Sequence, residues 1–232
     1  GFIGNGVDTE YNAGNFPQFQ IIGDQTISMF INPILNGRQN PLAKSFVCEG
    51  TLTVEPNGGL DYYFGGGTLQ SYQGFNSKAT IPFNKISHIA VVRDTQNRTV
   101  TWYINGIQTS NEKWASNIKN IASSSAPLLI GNGYVNNFKG LIQNLYMFNR
   151  TLSANEIMQL SNEPITTPRT IPSTTPTTTP IIASLTTPTT TPTTTPTTTP
   201  TSTPTSTHTS TPTSTPTSTP TSTPKWQQIS GS

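Results

Sequence analysis

Apolar side chains recur along the first 160 residues in short segments, which are separated by runs of Gly, Asn and Pro. Residues 86–93 are almost all apolar at their centre, and residues 99–104 place apolar side chains at every second position. Because the polar residues 94–97 lie between these segments, the pattern predicts a long β-hairpin. A hairpin this apolar is not stable alone in water, so we expect a second sheet to cover it.

Other short segments predict the remaining strands. They are rich in Val, Ile, Thr and aromatic residues, and turn-forming residues such as the Asn-Gly-Gly of residues 57–59 end them. Besides the hairpin, the predicted strands cover residues 19–22, 25–31, 42–48, 51–54, 60–64, 75–83, 107–110, 127–130 and 138–148. Strands this short and frequent are typical of an all-β fold, and we predict a two-sheet antiparallel jelly-roll sandwich.

One short helix is predicted after the last strand. Ser153 followed by Glu156 is a capping-box pattern, and the apolar Leu152 and Ile157 occupy the two positions of a hydrophobic staple. Pro164 ends the helical pattern. We expect this helix to cover part of the sandwich.

The composition divides the chain into three parts. Residues 1–164 can fold as one domain, whereas residues 165–224 are almost entirely Thr, Ser and Pro in a repeat of mostly four residues. Such a tract buries no apolar surface, and its regular Pro favours an extended, disordered stalk, either O-glycosylated or a plain linker. Residues 225–232 are similar to the start of a tectonin-type β-propeller repeat, so we predict that a further module begins there.

Charge and hydropathy exclude several classes of partner. The formal net charge is only +2, which argues against binding to nucleic acid or to an anionic membrane. No apolar run approaches the length that spans a bilayer, so no membrane insertion is expected. Cys48 is the single cysteine and is interpreted as a small buried residue of a strand.

Three blocks of sequence resemble the laminin G-like, concanavalin A-like lectin/glucanase superfamily. The blocks are residues 25–33, residues 88–94 with 102–106, and residues 128–131 with 140–157. The resemblance covers about residues 16–160 and implies two antiparallel sheets in a jelly roll. It also implies ligand binding, commonly of carbohydrate, although a fold alone does not establish a function.

The chain departs from the family pattern at two places. Ile86 stands where members often have Trp, and Gln143-Asn144 stands where they often have Asp-Glu. Where members hold a structural calcium ion, that acid can help to bind it, and neutral amides hold a divalent cation far more weakly. We therefore predict no metal site and no cofactor, with calcium as the doubtful alternative.

The acidic residues do not form the pattern of a hydrolase. Glycoside cleavage needs two carboxylates held close together, and the family's glucanases carry them at alternate positions of one strand. Only Asp8 and Glu10 lie two residues apart, and they lie in a turn-rich segment. His88 is the only histidine before residue 165, and we interpret it as a structural hydrogen-bonding residue. No catalytic residue is predicted.

Sugar binding requires aromatic faces and amide groups on loops. The residues with this character are Tyr62, Tyr63, Tyr72, Trp114, Asn132, Tyr134, Asn136 and Asn137. We predict a shallow glycan site formed by the loop of residues 132–137 together with Trp114 and Tyr62, while Trp102 is expected in the core. Packing or an ordinary turn is the alternative role for each of these residues.

Asn97 and Asn149 each begin an Asn-x-Thr sequon and are predicted as N-glycosylation sites, although a chain rich in Asn and Thr also produces sequons by chance. We predict a non-enzymatic carbohydrate-binding or adhesion module, displayed on its stalk at an extracellular cell or virion surface. Its partner would be a glycan or glycoprotein. One alternative is a structural or protein-interaction module without sugar binding, and the second is a glucanase-like hydrolase.

Overall fold

A computed structural model of the protein describes residues 1–165. The predicted stalk, apart from Ile165, and the module predicted to begin at residues 225–232 lie outside the described residues.

The described part of the chain consists of short strands, one 3-10 turn at Pro17–Phe19 and the helix α1 (Ala154–Ser161). The strands are β1 (Phe2–Asn5), β2 (Tyr11–Asn12), β3 (Gln25–Pro33), β4 (Gln39–Ser45), β5 (Gly50–Val54), β6 (Gly59–Gly65), β7 (Tyr72–Thr80), β8 (Ser87–Asp94), β9 (Thr99–Ile104), β10 (Ile107–Lys113), β11 (Leu129–Ile130), β12 (Asn136–Asn137) and β13 (Lys139–Phe148).

The strands form two sheets. The first sheet has the order β1-β13-β3-β8-β9-β10, and the second has the order β2-β11-β4-β5-β6-β7, with β12 added parallel to β4. All other pairings are antiparallel. The predicted all-β, two-sheet antiparallel sandwich with one short helix is therefore confirmed.

The central hairpin is present as predicted. Strands β8 and β9 pair so that Val91 lies opposite Trp102, and both side chains are buried. The next turn, between β9 and β10, has Asn105 and Gly106 at φ angles of 50° and 78°. An Asn-Gly pair tolerates positive φ at both positions, which is the requirement of a tight hairpin turn.

One predicted strand is wrong. Residues 19–22 form no strand, because the chain there makes local bonds: the Phe19 N–H donates to Phe16 O, and the Gln20 N–H donates to Pro17 O. Conversely, the polar N-terminal segment supplies two edge strands, since β1 pairs with β13 and β2 pairs with β11. Edge strands contribute backbone hydrogen bonds, and apolar periodicity does not reveal them.

The core lies between the two sheets and is filled from alternate strand positions. Met29 and Trp102 from the first sheet meet Phe64 and Phe75 from the second, and each is at most 1% exposed. The Trp102 Nε1–H donates to Phe75 O at 2.9 Å, which joins the sheets and satisfies the buried indole. Burying a large apolar side chain stabilises a fold by about 1.5–3 kcal/mol, so this core accounts for most of the stability.

Helix α1 covers part of the outer face of the first sheet. Its Ile157 is completely buried in an apolar cluster with residues that include Val92 and Phe148. The predicted capping box is confirmed: the Glu156 N–H donates to Ser153 Oγ, and the Ser153 N–H donates to Glu156 Oε2 at 2.8 Å. We call this helix-covered surface the covered face, and we call the outer surface of strands β4–β7 of the second sheet the open face.

Candidate functional site

The open face acquires its side chains from the alternation of strand β6. Leu60, Tyr62 and Phe64 point into the core. The residues that alternate with them, Asp61 and Tyr63, therefore point outward. Tyr63 lies opposite Gly74 of β7, and a Cβ at residue 74 would overlap the Tyr63 ring. Glycine at this position gives the tyrosine room to lie across the neighbouring strand.

Four aromatic rings lie together on this face, and we call Phe46, Tyr63, Tyr72 and Tyr134 the aromatic patch. The Phe46 ring centroid is 4.8 Å from that of Tyr134 and 5.3 Å from that of Tyr72. The Tyr63 centroid lies 6.5 Å from the centroids of both Tyr72 and Tyr134. Tyr134 and Tyr72 are 42% and 37% exposed, so ring surface is available to a ligand.

A single arginine joins the rings to the polar groups beside them. The Arg38 Nε donates to Glu55 Oε1 at 2.7 Å, and Nη2 donates to the hydroxyl groups of Tyr63 and Tyr134 at 2.8 and 3.3 Å. The guanidinium carbon lies 5.2 and 5.5 Å from the same two ring centroids. These contacts fix the positions of both tyrosine rings before any ligand arrives.

Carboxylate and amide groups border the aromatic patch. The Asn76 Nδ2 donates to Asp61 Oδ1 at 3.1 Å, and the Thr53 hydroxyl donates to Glu55 Oε1 at 2.7 Å. Burial raises the pKa of Asp61, the Asn76 hydrogen bond opposes that rise, and the nearby Glu55 carboxylate adds to it. Burial, followed by the charge of Asp61, raises the pKa of Tyr63 to about 12. The Tyr63 hydroxyl therefore stays protonated at neutral pH.

The predicted site residues are only partly brought together. Tyr134 lies in the aromatic patch, but Tyr62 is 1% exposed, and its hydroxyl donates to Gln25 Oε1 and accepts from Arg93 Nη1 inside the sandwich. Trp114 is 8% exposed, and its ring packs against Phe64 at 5.2 Å. Tyr62 cannot present its ring to a surface ligand, so its assignment to the site was wrong, and Trp114 packs on the core residue Phe64 outside the aromatic patch.

The asparagines of the predicted loop hold the backbone in place. Asn132 donates from its Nδ2 to the carboxylate of Glu10, and Asn136 donates from its Nδ2 to Asn36 O at 2.7 Å. The carbonyl of Asn137 accepts from Asn36 Nδ2 at 3.0 Å. These bonds position the loop that carries Tyr134, so the three asparagines help to place the Tyr134 ring and are not themselves part of the aromatic patch.

Sequence reasoning missed Arg38, Phe46, Glu55 and Asp61. One signal was present, because the predicted strand of residues 60–64 alternates, and Asp61 and Tyr63 must then share a face opposite to Tyr62. Arg38 and Glu55 lie just outside strands β4 and β5, and only the pairing of those strands brings them together.

Residues 1–165 carry neither a cluster of metal-ligating side chains nor a membrane-spanning helix. This part of the chain contains no group of three or more Asp, Glu, His or Cys side chains that could hold a metal ion. Asn144 is one of the two residues that stand where family members often have Asp-Glu, and its Nδ2 donates to Glu163 Oε2 at 3.4 Å. Helix α1 is too short to cross a membrane, and no other α-helix occurs in the described range.

The family profile of the laminin G type, described as the concanavalin A-like lectin/glucanases superfamily, matches residues 5–158. The chain belongs to this superfamily. Comparison with curated protein sequences gives no match.

Solved structures with the same fold share little sequence with this chain. The carbohydrate-binding module CBM40 of the Ruminococcus gnavus IT-sialidase, solved with alpha2,3 sialyllactose, is 16% identical at a TM-score of 0.57, and the match covers 69% of this chain and 95% of that one. A Bacteroides ovatus protein assigned as carbohydrate-binding is 18% identical at a TM-score of 0.53, with coverage of 66% and 44%. These similarities show the fold.

Proposed function

We propose that residues 1–164 form a non-enzymatic carbohydrate-binding module whose ligand contacts the aromatic patch. One observation carries the proposal: exposed tyrosine rings stand around a fixed Arg38–Glu55 pair on a face that no helix of residues 1–165 covers. Pyranose rings present C–H faces that pack on aromatic rings and hydroxyl groups that need donors and acceptors. The patch and its border supply both kinds of partner.

The rings are fixed before binding, which favours affinity. Tyr63 and Tyr134 are each held by an Arg38 hydrogen bond, and Phe46 packs against Tyr134. A ligand that meets rigid groups loses less conformational entropy than one that must order them. This argument favours a small, shallow recognition site over a flexible surface.

The fold neighbours support glycans as the ligand class to test. The Ruminococcus gnavus module was solved with a sialylated sugar, and the Bacteroides ovatus protein is assigned to carbohydrate binding. We further propose display at an extracellular cell or virion surface, with residues 165–224 as the stalk. A second module beyond residue 225 would add avidity through effective concentration.

The other two functions are less well supported. A protein-interaction face is expected to be flat and apolar, whereas this face carries Arg38, Glu55 and Asp61 among the rings. A glycosidase needs two carboxyl groups about 5–9 Å apart with room for sugar or water between them. Glu55 is bound by Arg38 and by the Thr53 hydroxyl, and Asp61 is bound by Asn76. Both carboxyl groups are therefore held by neighbouring side chains, and neither is free to act as the acid or nucleophile of such a pair.

A glycan array with the full 232-residue chain tests the proposal. We expect a bound glycan and a loss of affinity of about tenfold or more in the double variant Tyr72→Ala/Tyr134→Ala, since each ring contributes about 0.5–1.5 kcal/mol. Tyr11→Ala is the matched control, because Tyr11 is also 37% exposed but lies on β2. Binding that survives the double variant, or that falls equally in the control, would remove the aromatic patch as the site.

A further inference from the structure

We propose that the aromatic patch selects uncharged sugars and discriminates against sugars that carry a carboxylate or sulfate group. This inference rests on the proposed function and names the ligand class of the same site. It follows from the hydrogen bonds of Arg38, which lies beside the aromatic patch, and from the carboxylates of Glu55 and Asp61.

The edge of Arg38 that recognises acidic groups is already occupied. Arginine binds a carboxylate most strongly through two parallel N–H groups, and Nε with Nη2 forms one such edge. In this chain Nε donates to Glu55, and Nη2 donates to the hydroxyl groups of Tyr63 and Tyr134. Both N–H groups of Nη2 are thus engaged, and within the described residues only Nη1 is left without a hydrogen bond. A ligand carboxylate would have to displace Glu55 or a tyrosine hydroxyl group to form a two-point pair with Arg38.

The charges around the patch also oppose an acidic ligand. Arg38 is balanced by Glu55 at 2.7 Å, and Asp61 adds a second carboxylate on the same face. The lysine of strand β7, Lys78, is engaged elsewhere, with its ammonium group 3.0 Å from Glu112. An anionic sugar beside Arg38 would therefore approach the carboxylates of Glu55 and Asp61, while the charge of Arg38 is already neutralised by Glu55. Because like charges at contact range repel, this arrangement disfavours an acidic ligand.

The same groups suit the hydroxyl groups of a neutral sugar. Carboxylates are strong acceptors for O–H donors, and the free Arg38 Nη1 can donate to a hydroxyl or ring oxygen. Asp61 is held in place by Asn76, and Glu55 is held by Thr53 as well as Arg38. The polar border is thus an ordered set of acceptors and includes a free Arg38 Nη1 donor, next to rings that pack on an uncharged pyranose face.

The fold similarity does not decide the ligand class. The Ruminococcus gnavus module was solved with a sialylated ligand, but at 16% identity the similarity shows the fold alone. The selectivity of this domain must follow from Arg38, Glu55 and Asp61.

The test compares matched glycans that differ only in an acidic group, such as lactose with its sialylated and sulfated derivatives, on an array and by calorimetry with the full chain. For the best-bound pair we expect the neutral member to bind at least about tenfold more tightly, a difference of about 1.4 kcal/mol. Glu55→Gln, which removes the carboxylate charge and leaves at most a neutral amide oxygen on Arg38 Nε, should reduce that preference by about tenfold. Glu112→Gln, which removes the carboxylate of the Lys78 pair, should leave it unchanged.

The outcomes separate this inference from the proposed function. If no glycan binds, or if binding ignores Tyr72→Ala/Tyr134→Ala, the proposed function fails. If binding needs the two tyrosines but the acidic member is preferred, only the selectivity fails. If Glu55→Gln does not fold, Asp61→Asn provides a second test of charge repulsion, because it removes a carboxylate charge and leaves the hydrogen bonds of Arg38 intact. An unchanged preference in every folded acid variant would overturn the inference.

Discussion

The covered face and the open face are outer surfaces of the same sandwich, yet they carry different chemistry. On the covered face Val92 and Phe148 pack under Ile157 of α1, and all three are buried. On the open face Tyr72 and Tyr134 stay exposed beside polar groups. Since the common core between the sheets supplies most of the stability, the open face is free to carry ligand chemistry. We therefore expect substitutions on the covered face to change stability and substitutions on the open face to change binding.

The largest expected effect is on the covered face. Ile157→Ala removes a fully buried side chain, and we expect the free energy of unfolding to fall by about 2–5 kcal/mol. Urea unfolding of the full chain measures it. Met158→Ala is the control on the same helix, because Met158 is 42% exposed and its truncation should change stability by about 0.5 kcal/mol or less. Equal losses in the two variants would show that α1 is not anchored on the first sheet.

Acid should also act on the covered face through His88. This histidine is 2% exposed, its Nε2 lies 2.8 Å from Ser28 Oγ, and burial lowers its pKa to about 4. Because the unfolded chain has a pKa of about 6.5, it binds more protons than the folded chain between pH 6.5 and pH 4. Stability should therefore fall as the pH is lowered through this window, by about 3 kcal/mol in total.

Melting curves of the wild type and of His88→Gln between pH 7 and pH 4 measure this contribution. The variant should lose most of the slope in this window, and an unchanged slope would contradict the prediction.

The contribution of Asp61, on the open face, to stability should depend on pH with the opposite sign, since its pKa is raised in the folded state. Its contribution is fully present below the unfolded pKa and is lost as the pH rises through the folded pKa.

The smallest expected effect concerns the start of α1. Ser153→Ala removes the hydroxyl of the capping box, and we expect a loss of about 1 kcal/mol in unfolding free energy with unchanged glycan affinity. Ser123→Ala, at an exposed serine of a loop, is the control and should be neutral. A change in affinity in Ser153→Ala would mean that the two faces are coupled through the sandwich.

Structural features that depend on residues close together in the sequence could be predicted. The β8–β9 hairpin follows from alternation around a polar turn, and the capping box follows from Ser153 and Glu156 at a spacing of three. Tyr134 was predicted from its place in an Asn-rich loop, and the structure puts it in the aromatic patch. Tyr62 was misassigned because adjacent tyrosines look alike in sequence, although they lie on opposite faces of β6.

Local patterns were therefore sufficient for the all-β class and the closing helix, because periodicity and capping act over a few residues. The site depended on the assembly of the two sheets. Arg38, Glu55, Tyr63 and Tyr134 lie far apart in the chain, and they meet only because β4, β5 and β6 pair and the loop before β13 folds over them. Such contacts arise from strand pairing between distant parts of the chain, so the spacing of residues in the sequence does not predict them.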